Sequence, residues 1–417
     1  MQENIITGLD IGSYSTKILV GKVVQNEAKE NSLQIIGCGE VETQGVSKGA
    51  ISNIEEAVSS ISSCLESVER MIGMPVEHAW VGISGVHIQS KESKGVIAIS
   101  KTNGEIQEDD VERVIEAARA LATPVNYEIL HVIPRCFNVD NQQGIKDPIG
   151  MSGIRLEVIT QIIQGHSFQV KNLTKSVYRT GLDIDDLVLS ILAAGEAVLT
   201  NRQKELGVVL INIGAATTSI AVYEEGELMH IAVLPIGSQH ITSDINIGLR
   251  ATLDVAENVK KEAGSALAKS VDKKAEINLK DFGGENFLVS KKYISEIVEA
   301  RVEEIFEKVD NELKKINRSA LLPAGAVLIG GGAKLHGIVD VAKNKLRLPV
   351  VLGSPKQLVS AVDKINDLSF TTALGLVLWG EQVMKQSGKG KKGFVSPFNS
   401  VNQVASKLKK WFKNIVP

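Results

Sequence analysis

The 417-residue chain has only three cysteines, Cys38, Cys64 and Cys136, far apart and odd in number. That excludes a disulfide framework and a cysteine metal site, and it points to a reducing compartment. The histidines are scattered, with no pair at ligand spacing. A net charge of −3 gives no general affinity for polyanions, so no nucleic-acid partner is expected. No apolar run is long enough to span a bilayer. The start, M-Q-E-N-I-I-T, lacks the basic flank and apolar core of a signal peptide. The expectation is a soluble, intracellular body. Its 43% hydrophobic content and its length suit about two to three domains with full cores.

What is present is organised around G-L-D-I-G-S-Y-S-T-K, residues 8–17. Apolar runs on either side predict strand, tight hairpin, strand. Gly12 permits a sharp turn and close approach of a ligand to the backbone. Backbone N–H groups, the hydroxyls of Ser13, Ser15 and Thr16, and the Lys17 ammonium can then face phosphate oxygens. Asp10, ending the first strand, can hold a hydrated Mg²⁺. Read alone, the stretch is equally a polar-tipped surface hairpin. However, V-V-L-I-N-I-G-A-A-T-T-S-I-A-V, 208–222, repeats the pattern. Asn212 falls on Asp10, Gly214 on Gly12, Thr218 on Thr16 and Ile220 on Ile18, with Ala215 and Thr217 completing the second loop. Two such hairpins facing each other would clamp a polyphosphate. A third piece, V-L-I-G-G-G at 327–332, is a buried-strand run ending in Gly330, Gly331 and Gly332, and helix-like sequence follows from His336. A strand–glycine turn–helix joint can pack bare backbone against a nucleotide.

The periodicity predicts further elements. Leu33–Val41 reads as a strand. A helix follows Asn53 and ends at Gly73, and His78–Ser84 reads as a strand. Residues 86 to about 164 hold strand-like runs at Gly95–Ser100, Tyr127–Ile133 and Arg155–Gln164, with a helix over Asp109–Ala122. This segment reads as a small α+β insert or as a lobe extension with no role of its own. Phe168–Leu182 reads as helix, Leu187–Leu192 as strand and Gly195–Glu205 as one crossing helix. Residues 236–316 are helix-rich and close with a long amphipathic helix, Ile294–Ile316. An apolar helix spans Leu368–Val383.

Composition breaks after Lys385. Residues 386–400, Q-S-G-K-G-K-K-G-F-V-S-P-F-N-S, read as a flexible linker. In 401–417 one helical face carries Val401, Val404, Leu408, Trp411, Phe412 and Ile415, flanked by Lys407, Lys409, Lys410 and Lys413. A basic amphipathic helix with Trp and Phe reads as an anchor on an anionic membrane surface. The alternative is a helix docked on its own body, against which the long polar linker argues.

The two hairpins and the glycine turn, in this order and spacing, resemble the actin superfamily. G-V-S-K-G-A-I-S-N (45–53), L-H-V-I-P-R (130–135) and F-N-V-D-N-Q-Q-G-I-K-D-P-I-G-M-S-G-I-R-L (137–156) narrow the resemblance to the bacterial FtsA family, over nearly the whole chain. It implies an α/β, actin-like two-lobed fold of duplicated βββαβα units, with a small α+β insert in lobe one. The lobe-one core would take 1–85, 166–195 and 360–385, and the insert 86–165. The lobe-two core would take 196–235 and 317–359, with a helix-rich subdomain at 236–316. The resemblance also implies ATP with Mg²⁺ in an interlobe cleft, self-polymerisation and binding of the C-terminal tail of tubulin-like FtsZ. Contact with other divisome proteins follows from it too, as does a peripheral place on the cytoplasmic membrane face at the division site. The pattern A-E-x-x-K-x-x-x-G at 256–264 implies adenosine contacts from Glu257 and Lys260. From spacing alone these two are a surface ion pair, worth little.

Two positions depart from hydrolytic relatives. Asn212 stands where actin-type ATPases usually have Asp, and Ser190 where chaperone ATPases have Glu. A hydroxyl is no general base near neutral pH. Nucleotide holding is therefore expected to be intact and hydrolysis weak, with no catalytic residue assigned. The alternatives are a sugar-kinase-type ATPase, which would need a carboxylate base, and a PilM-like pilus-assembly homologue, which would need no membrane helix.

Overall fold

The computed structural model describes residues 5–25, 31–100, 104–120, 124–356, 358–360 and 362–387. The linker from 388 and the amphipathic helix, with Val404, Lys407, Leu408, Lys409, Lys410, Trp411, Phe412, Lys413 and Ile415, lie outside the described residues.

The chain opens with β1 (Ile5–Ile11), β2 (Ser15–Gln25) and β3 (Asn31–Glu42), then a short ribbon, β4 (Val46–Ser47) and β5 (Ala50–Ile51). Helix α1 (Ile54–Ile72) follows, then β6 (His78–Ile83). The ends of α1 follow directly from its sequence. The Asn53 side chain accepts the N–H groups of Glu55 and Glu56, and Gly73 closes the helix at φ 71°, returning its N–H to the Glu69 carbonyl. Ala57, Ile61, Leu65 and Val68 form its buried face.

The insert comprises β7 (Ile88–Ala98), α2 (Glu108–Ala120), β8 (Tyr127–Val139), β9 (Gln142–Ile145) and β10 (Arg155–His166), in a sheet ordered β7-β10-β8-β9. It has its own core, centred on Phe137, Ile115, Leu156 and Ile162. Its strands run longer than the apolar patches that announced them. β7 begins seven residues before Gly95 because its exposed Lys91, Glu92 and Lys94 obscure the alternation. The insert also touches lobe two. Lys146 Nζ donates to the Glu225 carbonyl at 2.8 Å, and Arg135 lies 2.9 Å from Glu92 and 3.8 Å from Glu227.

Lobe one resumes with α3 (Ser167–Tyr178) and β11 (Asp183–Leu189), and α4 (Ser190–Val198) and α5 (Asn201–Leu206) lead across. Two expectations are corrected here. The strand expected at Leu187–Leu192 begins at Asp183 and ends at Leu189, and Ser190 already starts a helix. The single crossing helix is two, because Thr200 caps α5 in a capping box with Gln203. The run Leu187–Leu192 is apolar but for Ser190, and one serine is a weak mark of where strand gives way to helix.

Lobe two repeats the plan with β12 (Val208–Ile213), β13 (Thr218–Glu224) and β14 (Glu227–Leu234). Glu225 and Gly226 both have positive φ, 56° and 79°, as a two-residue hairpin of the twisted type requires. Next come α6 (Ser238–Leu249), α7 (Leu253–Ala263), a ribbon of β15 (Glu276–Asn278) and β16 (Leu288–Ser290), and α8 (Lys291–Lys315). The ribbon was not expected, since its strands are three residues each. Then follow β17 (Gly325–Ile329), α9 (Ile338–Leu346) and β18 (Val350–Leu352). β19 (Val359–Ser360) returns to the first sheet, and α10 (Thr371–Ser387) closes lobe one, starting three residues later and ending four residues later than expected, so that it takes in the first two residues of the expected linker.

The duplication is explicit in the sheets. Lobe one orders β11-β6-β1-β2-β3-β19, and lobe two β18-β17-β12-β13-β14. In each, the first strand pairs antiparallel with the second and parallel with the fourth. Between the lobes α4 packs on α10. A Cβ on Gly375 would collide with the Ala193 backbone, so only glycine allows the two helices so close.

Candidate functional site

The two glycine loops are copies in their hydrogen bonds. Gly12 N–H donates to the Ser15 carbonyl at 3.2 Å, and Gly214 N–H to the Thr217 carbonyl at 2.9 Å. A Cβ on Gly12 would meet the Ser15 oxygen at 2.9 Å, and one on Gly214 the Thr217 oxygen at 3.0 Å. Both turns are therefore built for glycine.

Asp10 is the penultimate residue of β1, opposite Lys17 on β2. Burial pushes its carboxyl pKa up, and the Lys17 charge partly offsets this. Asp10 Oδ1 and Ser190 Oγ both border Gly82, at 3.5 and 2.9 Å from where its Cβ would stand. The first residue of α4 thus lies close to the first loop. Ser84 and Ser219, one from each lobe, share a hydrogen bond at 3.3 Å.

The hydroxyls do not all face the cleft. Ser15 is buried and donates to Glu40 at 3.0 Å. Thr16 bonds Thr43 at 2.8 Å, and Thr218 donates to the Ile236 carbonyl at 2.8 Å. The expectation that Ser15 and Thr16 point their hydroxyls at a ligand is corrected: both sit on β2 and are engaged within lobe one. Ser13 Oγ accepts Gly49 N–H at 3.1 Å, and Thr217 remains partly exposed. Lys17 Nζ is 3.4 Å from Glu40, touches Ser15 Oγ, and lies 5.7 Å from the Phe370 ring centre.

In lobe two the Gly214 and Ala215 carbonyls accept the N–H groups of Ser238 and Gln239, at 2.9 and 2.8 Å. The second loop is thereby fastened to the start of α6. Glu257 and Lys260 are more than a surface pair. Lys260 is buried, 2.6 Å from Glu257 and 2.8 Å from Thr242, and Thr242 also donates to Glu257 at 2.6 Å. Burial alone would raise the Glu257 pKa, but bonds from Lys260 and Thr242 and the charges of Lys260 and Lys261 outweigh it and lower it. Thr242 went unnoticed in the sequence because it lies on α6, one helix away from Glu257.

The glycine turn follows β17. Gly330 has φ 88°, and its N–H donates to the Leu368 carbonyl at 3.1 Å. Gly332 packs on Ile213. Gly331, between them, is exposed, and a Cβ there would meet nothing within 4 Å. Tyr14 and Lys261, also unnoticed, meet across the lobes, with Lys261 Nζ 3.1 Å from Tyr14 Oη. Among the described residues no cluster of His, Cys, Asp and Glu could hold a metal on protein ligands alone, and no helix is long and apolar enough to cross a membrane.

Two lobes of one topology, each with a glycine loop, define an actin-like protein. Solved structures share the fold. A PilM–PilN type IV pilus biogenesis complex matches with TM-score 0.65 at 16% identity, over 90% of this chain and 98% of that one. MreB5 of Spiroplasma citri, solved bound to ADP, matches with TM-score 0.55 at 13% identity, over 94% of this chain and 100% of that one. The family model "Cell division protein FtsA" matches residues 209–375, and "SHS2 domain inserted in FTSA" matches 85–164. Cell division protein FtsA of Pseudomonas aeruginosa is 36% identical over 98% of this chain and 97% of its own. That of Bacillus subtilis is 38% identical over 96% and 89%. The chain belongs to the FtsA family of cell division proteins. That membership sets aside the sugar-kinase and pilus-assembly alternatives.

Proposed function

We propose that this cell-division protein binds ATP with Mg²⁺ in the interlobe cleft, polymerises on the cytoplasmic membrane face and tethers FtsZ filaments there, helping to assemble the septum. The carrying observation is the pair of matched glycine loops, with Gly331 left open on the third side. Backbone of the Gly12–Ser13 and Gly214–Thr217 turns would take the phosphates. Gly330–Gly332, Glu257 and Lys260 would take the adenosine, and Asp10 would hold Mg²⁺ through water. The residues suit that ligand: a recessed carboxylate beside one loop, bare backbone at both loops, and an unobstructed glycine face. The MreB5 neighbour, solved bound to ADP, supports nucleotide as the ligand class. Asn212 and Ser190 favour holding over hydrolysis.

FtsZ's tail would dock on the helix-rich part of lobe two. A cavity of about 390 Å³ between the end of β14, α6 and α8, lined by Pro235, His240, Lys308 and Asn311, suits a short peptide segment. The 401–417 helix would supply the membrane contact, and the chain would sit at the division site among other divisome proteins. Electron microscopy on anionic lipid monolayers, with and without ATP, tests the whole reading. Filaments that need both lipid and ATP are expected. A protein that stays monomeric on lipid with ATP contradicts it.

A further inference from the structure

We infer that Tyr14 and Lys261 form a clasp between the lobes that sets how long a nucleotide stays bound. The inference rests on the nucleotide reading of the cleft and concerns two residues that no motif singled out.

Tyr14 is the tip of the first loop, next to Ser13. Its carbonyl accepts Thr43 N–H at 2.9 Å, so the backbone is pinned while the ring, 47% exposed, reaches toward lobe two. Lys261 lies on α7, next to Lys260. Its ammonium donates to Tyr14 Oη at 3.1 Å, stands 5.1 Å from the Tyr14 ring centre, and pairs with Glu257 at 3.2 Å. One cation therefore bridges the Tyr14 hydroxyl of the opposite lobe and the Glu257 carboxylate of its own. Burial would depress its pKa, but the Tyr14 bond and the Glu257 charge outweigh that and raise it, so the ammonium stays charged at neutral pH.

The position gives the contact its role. Tyr14 adjoins the loop proposed to hold phosphates, and Lys261 adjoins the pair proposed to hold adenosine. A contact joining these two segments spans the ligand from one end to the other. Parting the lobes to release nucleotide breaks it, whereas the Ser84–Ser219 bond lies among the strand ends. Both clasp side chains are half exposed, so the fold does not depend on them.

The test is stopped-flow release of a fluorescent ATP analogue from the full chain, chased with excess ATP. Loss of a partly exposed charged hydrogen bond predicts a release rate about tenfold higher in Lys261→Ala and in Tyr14→Ala. Tyr14→Phe removes only the hydroxyl and should show most of the same rise. The double variant should release no faster than the faster single variant, because one interaction cannot be lost twice. If the parent binds the analogue and both single variants release it at the parent rate, the clasp is wrong and the nucleotide reading stands. Additive effects in the double variant also overturn the clasp. If the parent binds no analogue, the nucleotide reading itself falls.

Discussion

The carboxamide oxygen of Asn212 fills the space where Gly330 would carry a Cβ, so the end of β12 and the glycine turn after β17 fit only because residue 330 has no side chain. The Ile213 carbonyl oxygen closes the same space, 2.6 Å from that point, and the φ of 88° is itself a glycine conformation. Next to it, Gly331 is open on every side.

This contrast separates stability from binding. Gly330→Ala should destabilise the protein by about 3 kcal/mol or more, from backbone strain plus overpacking. Gly331→Asp should melt within a few degrees of the parent yet lose ATP, because its carboxylate enters the cleft where the adenosine would lie. Melting curves and ATP titrations of both variants check this. Parent-like ATP affinity in Gly331→Asp would place the nucleotide elsewhere.

Hydrolysis should be slow. Ser190 stands beside Asp10, where a carboxylate base would be needed, and Asn212 brings no negative charge. Steady-state phosphate release from assembled filaments is expected to fall far below the enzyme median of about 10 per second. A rate near that median would show that another group activates the water.

The FtsZ contact can be located by two variants. Asn311→Trp puts an indole into the cavity between α6 and α8 and should weaken binding of an FtsZ tail peptide at least tenfold. Deletion of 86–164 should leave the peptide affinity unchanged, although it removes the Lys146 and Arg135 contacts to lobe two. Fluorescence anisotropy with a labelled peptide reads both. Loss of binding in a folded deletion variant would move the site to the insert.

Stability should also fall in mild acid, in part because of His87. Both its ring nitrogens are buried without a protein partner, and burial, with the nearby His166 charge, lowers its pKa to about 4. The unfolded chain binds a proton near pH 6.5, while the folded chain binds it only near 4. The contribution is complete above pH 6.5 and is lost as pH falls toward 4, at most about 3 kcal/mol. Denaturant titrations at pH 7 and pH 4.5 should show a smaller drop in His87→Leu than in the parent. An equal drop would assign the pH dependence to other groups.

Membrane attachment should depend on the end of the chain. Trp411→Glu should keep ATP and FtsZ-peptide binding but lose anionic liposomes in flotation. Four lysines at about 1 kcal/mol each hold one copy weakly, and a filament of many copies holds strongly. Undiminished flotation of the variant would place the anchor elsewhere.

Punctuation decided what the sequence revealed. Helix α1 was legible to the residue because Asn53 and Gly73 cap it. The β11–α4 joint was not, because Leu187–Leu192 is apolar but for Ser190, and that one serine is where the chain changes from strand to helix. Within the candidate site, the two glycine turns could be read because their backbone geometry shows in a short motif. The inward turn of Ser15 and Thr16 could not, since it depends on Glu40 and Thr43 from β3 and the residues after it. Tyr14 and Lys261 were invisible for the same reason: they meet only after two lobes have folded.

The insert leaves lobe one on β7 and returns on β10, and these strands are paired from Ile88 opposite Gly165 onward. Its two ends are thus immediate neighbours, about 5 Å apart, a gap that a two-residue turn could close. Such a junction works as a splice point. A different cassette with adjoining ends could join the chain at these same two residues, provided that it also covered the lobe-one core on which Ile88, Ile133 and Ile163 pack.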